Sequence, residues 1–215
     1  GKFLLIKLSS NGLKTGPTLI VHLGMTGGLR IQPASQPAHP MVRHTFFLDD
    51  KIQLRFQDGR KFGKLWLTND AEDVLPALSV DPLSEEFTPK VLRTGLNGRS
   101  APVKALLLEQ SIVSGMGNLY ADESLFLAGI HPSRPGSELS GEEIARLRQR
   151  IVDVLTAAVA IYDKSRLDNW PDPPRALHAW TIPRNADEPC PRCGGPMAVT
   201  RVRARTTWFC SGHQK

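Results

Sequence analysis

The sequence predicts an α+β protein with strands first, helices second and a small metal-bound ribbon at the end. Three observations predict it. Short β-rich runs cut by Asn, Asp and Gly turns fill the first third, a helical apolar period replaces them from Asn69 onward, and paired metal-ligand residues bracket the tail. With 215 residues, the chain is long enough to bury a substantial core.

The strand candidates are Phe3 to Leu8, Thr18 to Leu23, Leu29 to Gln32, Thr45 to Leu48, Ile52 to Phe56 and Leu65 to Leu67. They are separated by Asn11-Gly12, Gly27-Gly28, Asp49-Asp50 and Asp58-Gly59, while Ile31 to Met41, with three prolines, reads as a loop. Antiparallel sheet or sandwich is the expected result. Beyond Asn69, Pro76, Pro82 and Pro89 punctuate the approach to a helix capped by Ser100, with Val103, Leu106, Leu107 and Gln110 on one face. After the turn Ser114-Gly115-Met116-Gly117, Asn118 is placed to cap a second helix, Leu119 to Ala128, stopped by Gly129. Ser140 and Glu143 form a capping box that opens a longer helix, with Ile144, Leu147, Ile151, Val154, Leu155, Ala158 and Tyr162 on its buried stripe. Asn169 to Pro174 is a linker, and Met197 to Val202 with Arg205 to Phe209 suit a two-stranded ribbon.

Composition narrows the function. No apolar run nears the roughly 20 residues of a membrane helix. Three cysteines within the last 26 residues argue against a disulfide scaffold, and so for a reducing, cytoplasmic setting. The net charge of +6 is unevenly spread: residues 1–70 carry 10 basic and 4 acidic side chains, residues 71–185 carry 12 and 15, and residues 186–215 carry 5 and 2. Basic ends around an acidic middle suit a cleft that binds nucleic acid.

Five motifs carry chemistry. Cys190-x2-Cys193 and Cys210-x2-His213, 16 residues apart, offer two knuckles to one tetrahedral zinc ion, which would be structural; a three-cysteine site completed by another group is the alternative. Arg201, Arg203 and Arg205 alternate, which on a strand places all three on one face, either solvated or against phosphate. The Ser114 to Asn118 turn sets small residues and outward amides before a helix; alone it reads as turn geometry. Arg60-Lys61-Phe62-Gly63 and His22 to Gly27 are strand-end turns. Phe62 and Met25 there are either core residues or side chains that enter a nucleic-acid stack.

In this order the motifs resemble the formamidopyrimidine-DNA glycosylase and endonuclease VIII family of base-excision repair enzymes. The resemblance rests on Gly1-Lys2-Phe3-Leu4, on HLGMTG at His22 to Gly27, on DGRKFG at Asp58 to Gly63, on the long string from Leu106 to Pro132, and on RTTWFC before the last ligands. It implies a β-sandwich lobe over residues 1–70, a helix–two-turn–helix lobe over 71–168, and a linker with a zinc hairpin over 169–215. It also implies a monomer that binds damaged duplex DNA, associated with a bacterial-type nucleoid, flips the base, and cleaves by Schiff-base β- and δ-elimination. Lys2 matches the proton donor for β-elimination and Arg205 the arginine of δ-elimination and phosphate binding. His44, Arg60 and Arg99 match DNA-contacting positions. Met25, Arg60 and Phe62 match the trio that fills the void left by the flipped base, and Lys104 and Asn118 match phosphate binders.

The chain departs from the family pattern in three places. The family begins Pro-Glu, whereas Gly1 aligns within the first strand, which implies an N-terminally truncated sandwich and a chain that borohydride does not trap on abasic DNA. His213 stands where the family usually has cysteine. Asp163 to Leu177 lacks the Gly- and Thr-rich opening of the loop that closes over an oxidised purine, so the lesion stays open. A non-catalytic zinc-containing DNA binder of the same fold is the alternative reading, and an RNA-binding zinc ribbon would use the tail alone.

Overall fold

Six strands form where the β-rich runs lie: β1 Phe3–Lys7, β2 Thr18–His22, β3 Gly28–Pro33, β4 Val42–Phe47, β5 Ile52–Gln57 and β6 Lys64–Thr68. A computed structural model describes residues 2–9, 16–164, 181–185 and 187–215; the Asn11-Gly12 turn, the side chain of Tyr162 and the linker at 169–174 lie outside the described residues. Two antiparallel three-stranded sheets result, ordered β1-β2-β6 and β3-β5-β4. Each central strand is the most apolar or most buried of its sheet: Ile20 and Val21 in β2 are fully buried. Ile6, Leu19, Val21 and Leu65 from one sheet meet Leu29, Phe46 and Phe56 from the other, which makes a sandwich. β4 starts before its apolar run because the register shifts between Val42 and His44, a bulge that re-aims Arg43.

The chain divides into two compact units, residues 2–76 and residues 77–164 with 181–215. In the second, α1 spans Pro89–Leu96, α2 Val103–Leu107, α3 Asn118–Ala128 and α4 Gly141–Lys164. The sequence reading passed over α1, taking its prolines as punctuation; Thr88 caps it by accepting from the Val91 amide at 3.3 Å, with Pro89 leading the first turn. Ser100 does not cap α2. The first-turn amides of Val103 and Lys104 instead donate to the carbonyls of Arg134 and Pro132 at 2.7 and 3.2 Å, so a neighbouring loop satisfies donors that a side chain was expected to satisfy. α3 ends as expected at left-handed Gly129, φ 70°. It is buried on nearly every side, including Asp122, Glu123 and Ser124, because α2, α4 and the tail all pack around it. Leu92, Leu106, Leu125, Leu147 and Ile151 belong to the core they share. Among the described residues no helix is long and apolar enough to cross a membrane.

The capping box at α4 forms as expected: the Ser140 amide donates to Glu143 Oε2 at 2.8 Å and the Glu143 amide to Ser140 Oγ at 3.2 Å. Arg134 adds two hydrogen bonds to the same carboxylate, at 2.6 and 3.0 Å. These Arg134 bonds, foremost, hold the Glu143 carboxyl at about 2, from an ordinary 4.5. A carboxyl depressed on folding stabilises above its unfolded pKa and loses that share as pH falls through the folded value. Glu143→Gln should therefore remove about 1 kcal/mol of stability at neutral pH, after allowance for solvent screening. The difference from wild type should vanish between about pH 4.5 and about pH 2, as read by denaturant unfolding. A gap that is constant with pH would mean that the ion pair contributes nothing.

The tail forms β7 Ala198–Val202 and β8 Arg205–Phe209, joined by Arg203 and Ala204, both left-handed at φ 44° and 61°. This turn corrects the expected row of arginines. Arg203 sits in the turn, Arg201 pairs with Thr206 and Arg205 with Val202. Residues opposite one another share a face and neighbours alternate, so Arg201 and Arg205 point to opposite sides of the ribbon. The ribbon packs on α3, with Met197, Cys190 and Cys210 against Phe126 and Ile182.

Candidate nucleic-acid interface and metal centre

In the sandwich unit a buried aspartate ties two turns together. Asp58 is 1% exposed. Its Oδ1 accepts from Thr26 Oγ1 at 2.6 Å and from the Arg60 amide at 3.2 Å, and its Oδ2 accepts from the Gly63 amide at 2.7 Å. The Thr26 hydroxyl is the chief cause that holds the Asp58 carboxyl below its ordinary value, with the Gly63 amide next. Arg43, turned by the bulge, donates Nε to the Asp58 carbonyl at 2.9 Å. Glycines let the two turns meet: a Cβ on Gly24, φ 64°, would lie 2.8 Å from the backbone of Phe62 and Gly63, and one on Gly63 would lie 2.4 Å from the Phe56 ring. What this arrangement leaves outside is apolar. Met25 is 63% exposed and Phe62 52%, with the Arg60 guanidinium 4.9 Å from the centre of the Phe62 ring. Lys2, left-handed at φ 51°, precedes β1 and is exposed, and His44 is exposed on β4.

In the helical unit the expected site residues divide. Arg99 and Arg203 both reach Glu109, at 2.8 Å each, and all three remain partly exposed. Arg205 is exposed at the start of β8. Lys104 is not available as a surface phosphate binder: its side chain is fully buried, its Nζ is 2.7 Å from Asp122 Oδ1, and it donates to the Thr206 carbonyl at 3.0 Å and to Thr207 Oγ1 at 2.7 Å. Burial pushes the Lys104 ammonium below the ordinary lysine value and the Asp122 carboxyl above its own. Asn118 does not cap α3. Its Nδ2 donates to the same Thr206 carbonyl at 3.0 Å, because the docked ribbon competes for the side chain. Arg184 completes the cluster, 3.3 Å from Asp122 Oδ2, which also accepts from the Trp208 amide at 3.4 Å.

The metal-ligand candidates converge. Cys190, Cys193, Cys210 and His213 each offer one atom, and all four atoms lie within 4.8 Å of one another. Cys193 Sγ is 3.4 Å from Cys210 Sγ, and Cys190 Sγ is 3.4 Å from His213 Nδ1, close to the edge of about 3.8 Å that a tetrahedron with Zn–S arms of about 2.3 Å requires. Three soft sulfurs and one imidazole suit a borderline-soft ion. The Gly195 amide is the chief cause that holds the Cys193 thiol below its ordinary value, whereas burial pushes Cys210 up. His213 Nε2 faces the Phe126 carbonyl at 3.2 Å. A proton there leaves Nδ1 free to ligate and fixes the ring. The end of the chain is held as well: Gln214 Nε2 donates to the Ile130 carbonyl at 2.9 Å and Arg134 to the Lys215 carbonyl at 3.2 Å.

Residues 1–65 match the model of the formamidopyrimidine-DNA glycosylase N-terminal domain, and residues 78–168 match the model of the formamidopyrimidine-DNA glycosylase H2TH domain. The chain belongs to the formamidopyrimidine-DNA glycosylase family. A formamidopyrimidine-DNA glycosylase of Syntrophomonas wolfei is 37% identical over 220 residues, covering 100% of this chain and 80% of that protein. One of Chloroflexus aggregans is 40% identical over 217 residues, covering 97% and 76%. The crystal structure of the MutM (Fpg) protein of Thermus thermophilus superposes with a TM-score of 0.85 at 36% identity, covering 100% of this chain and 80% of that one. The formamidopyrimidine-DNA glycosylase of Lactococcus lactis, solved bound non-covalently to DNA containing an AP site, gives 0.85 at 30% identity, covering 100% and 78%. The sandwich, the helical lobe and the Cys/His hairpin expected from the sequence are those of the formamidopyrimidine-DNA glycosylase fold.

Sequence reasoning missed Asp58 as a tie, Glu109 as a bridge, and Asp122 and Thr207 as partners of Lys104. One signal was present for Asp122: two acidic residues, Asp122 and Glu123, stand together in the middle of a largely apolar helix of 11 residues, and buried carboxylates require partners.

Proposed function

We propose that this formamidopyrimidine-DNA glycosylase family member excises oxidised bases from damaged duplex DNA and cleaves the abasic strand through a Schiff base, by β- and δ-elimination. The pairing of the Met25 and Arg60-Phe62 turns through buried Asp58 carries the reading. It holds an exposed flexible thioether, an exposed ring and a guanidinium on turns that are 32 residues apart in sequence at the Thr26–Asp58 bond. Large apolar side chains exposed on a fixed backbone fit insertion into a base stack, where an extruded nucleotide leaves a hole. In this reading Met25 and Phe62 fill the hole, and Arg60 hydrogen-bonds the orphaned base. Lys2 donates the proton for β-elimination, and Arg205 acts in δ-elimination and on phosphate. His44 and Arg99 contact DNA, and Asn118 contacts phosphate. One structural zinc ion held by Cys190, Cys193, Cys210 and His213 supplies folding energy to the hairpin. The protein works as a monomer in a bacterial cytoplasm, at the nucleoid.

The test is excision of an oxidised base from duplex by the full-length protein. Met25→Ala combined with Phe62→Ala should slow excision about 100-fold, the equivalent of the few kcal/mol of unstacking that the two side chains offset. Affinity for undamaged duplex should change less than about threefold, since neither side chain is charged. Wild-type excision by the double variant would remove these residues from the reading.

A further inference from the structure

The polar cluster beneath β8 has a connectivity that fold stability alone does not require. Lys104 Nζ donates to Thr207 Oγ1 at 2.7 Å, and that hydroxyl donates in turn to the Arg205 carbonyl at 3.0 Å. Lys104 and Asn118 both donate to the carbonyl of Thr206, the residue between. The Trp208 amide goes to Asp122, the ion-pair partner of Lys104. Three consecutive residues after Arg205 are thus pinned to α2 and α3, while the Arg205 side chain stays exposed. The ion pair is fully buried on both sides, and a buried pair of this kind contributes little net stability over well-packed apolar side chains. A directional role explains its use better.

We infer that Lys104, through Thr207 and Asp122, is a positioning residue that aims Arg205, in place of the direct phosphate contact expected from the sequence. The inference rests on the reading of Arg205 as a phosphate-binding residue. The buried Lys104 ammonium gives two hydrogen bonds, to the Thr206 carbonyl and Thr207 Oγ1, and its charge is paired with Asp122 Oδ1 at 2.7 Å, so it is committed inside the protein. A lysine in that state is out of reach of DNA, since its side chain is fully buried. It can still fix the start of β8, where an error of about 1 Å would move a guanidinium off its phosphate.

Thr207→Val tests this, because it is nearly isosteric and breaks only the relay. The measurements are affinity for abasic-site duplex as a function of salt, zinc content, and hydrogen exchange of the Arg203–Phe209 peptide in the whole chain. Thr207→Val should keep its zinc, raise exchange in that peptide about tenfold, and reduce the slope of log K against log salt by about 0.9, the share of one phosphate contact. In an Arg205→Ala background it should cause no further loss of affinity, since both changes remove one contact. Lys104→Met paired with Asp122→Leu, which replaces the buried pair by apolar side chains, should behave as Thr207→Val does. Unchanged exchange and unchanged slope in both variants overturn the inference, as does full additivity with Arg205→Ala. If Arg205→Ala itself leaves the slope unchanged, the phosphate reading of Arg205 falls, and hydrogen exchange alone decides whether Lys104 holds the strand.

Discussion

Removing the metal from the Cys190, Cys193, Cys210 and His213 site is expected to unfold the hairpin and leave the helices standing. The buried apolar set around the hairpin is Phe126, Ile182, Met197 and the two cysteines Cys190 and Cys210. Two of those five are themselves metal-ligand candidates and one belongs to α3, so beyond Val202 the ribbon brings little core of its own. With zinc in the proposed site, a unit this small would depend on the ion, whose binding contributes on the order of 10 kcal/mol of folding free energy in comparable sites. With a chelator, or with Cys210→Ser, hydrogen exchange over residues 190–215 should rise to the level of an unfolded peptide, while α4 stays protected. DNA affinity should fall at least tenfold as the phosphate contact proposed for Arg205 is lost. His213→Cys should keep one zinc per chain, because thiolate and imidazole both serve a tetrahedral site, whereas His213→Ala should lose most of it. A hairpin that stays protected without metal would show that packing on α3 holds it unaided.

Asp58→Ala should destabilise the sandwich unit by about 3 kcal/mol, as it removes the buried carboxylate that accepts from Thr26, Arg60 and Gly63. Asp58→Asn should lose less, since the amide keeps one oxygen. The functional effect should exceed the effect on folding. Both turns stay in the chain, but nothing holds Met25 beside the Arg60-Phe62 turn, so excision should fall as far as in the Met25 and Phe62 double variant. Hydrogen exchange in β2 and β5 measures the first effect and single-turnover excision the second. Folding loss with unimpaired excision would mean that the turns align on DNA without Asp58.

Elements whose cause lies within a few residues were legible in the sequence. The six strands fall where the β-rich runs lie, Gly129 ends α3 because only left-handed backbone fits there, and the Ser140–Glu143 box opens α4 through bonds that span three residues. The four metal-ligand candidates that converge were equally plain, since each two-residue spacing is set by one knuckle. α1 was hidden because prolines at a first helical position look like breaks, yet they suit a turn whose amides need no partner.

Tertiary structure decided everything that depends on partners far along the chain. Lys104 and Thr207 are 103 positions apart; only docking of the hairpin on α3 brings Thr206, Thr207 and Asp122 around the ammonium and turns it inward. The same docking takes Asn118 from its cap, and the carbonyls of Arg134 and Pro132 make Ser100 unnecessary. The arginine row failed because alternation assumes one continuous strand, and the two left-handed residues at 203 and 204 fold it back on itself. Local spacing fixes which chemical groups a segment offers, whereas long-range packing fixes which are consumed inside the protein and which are left to face a ligand.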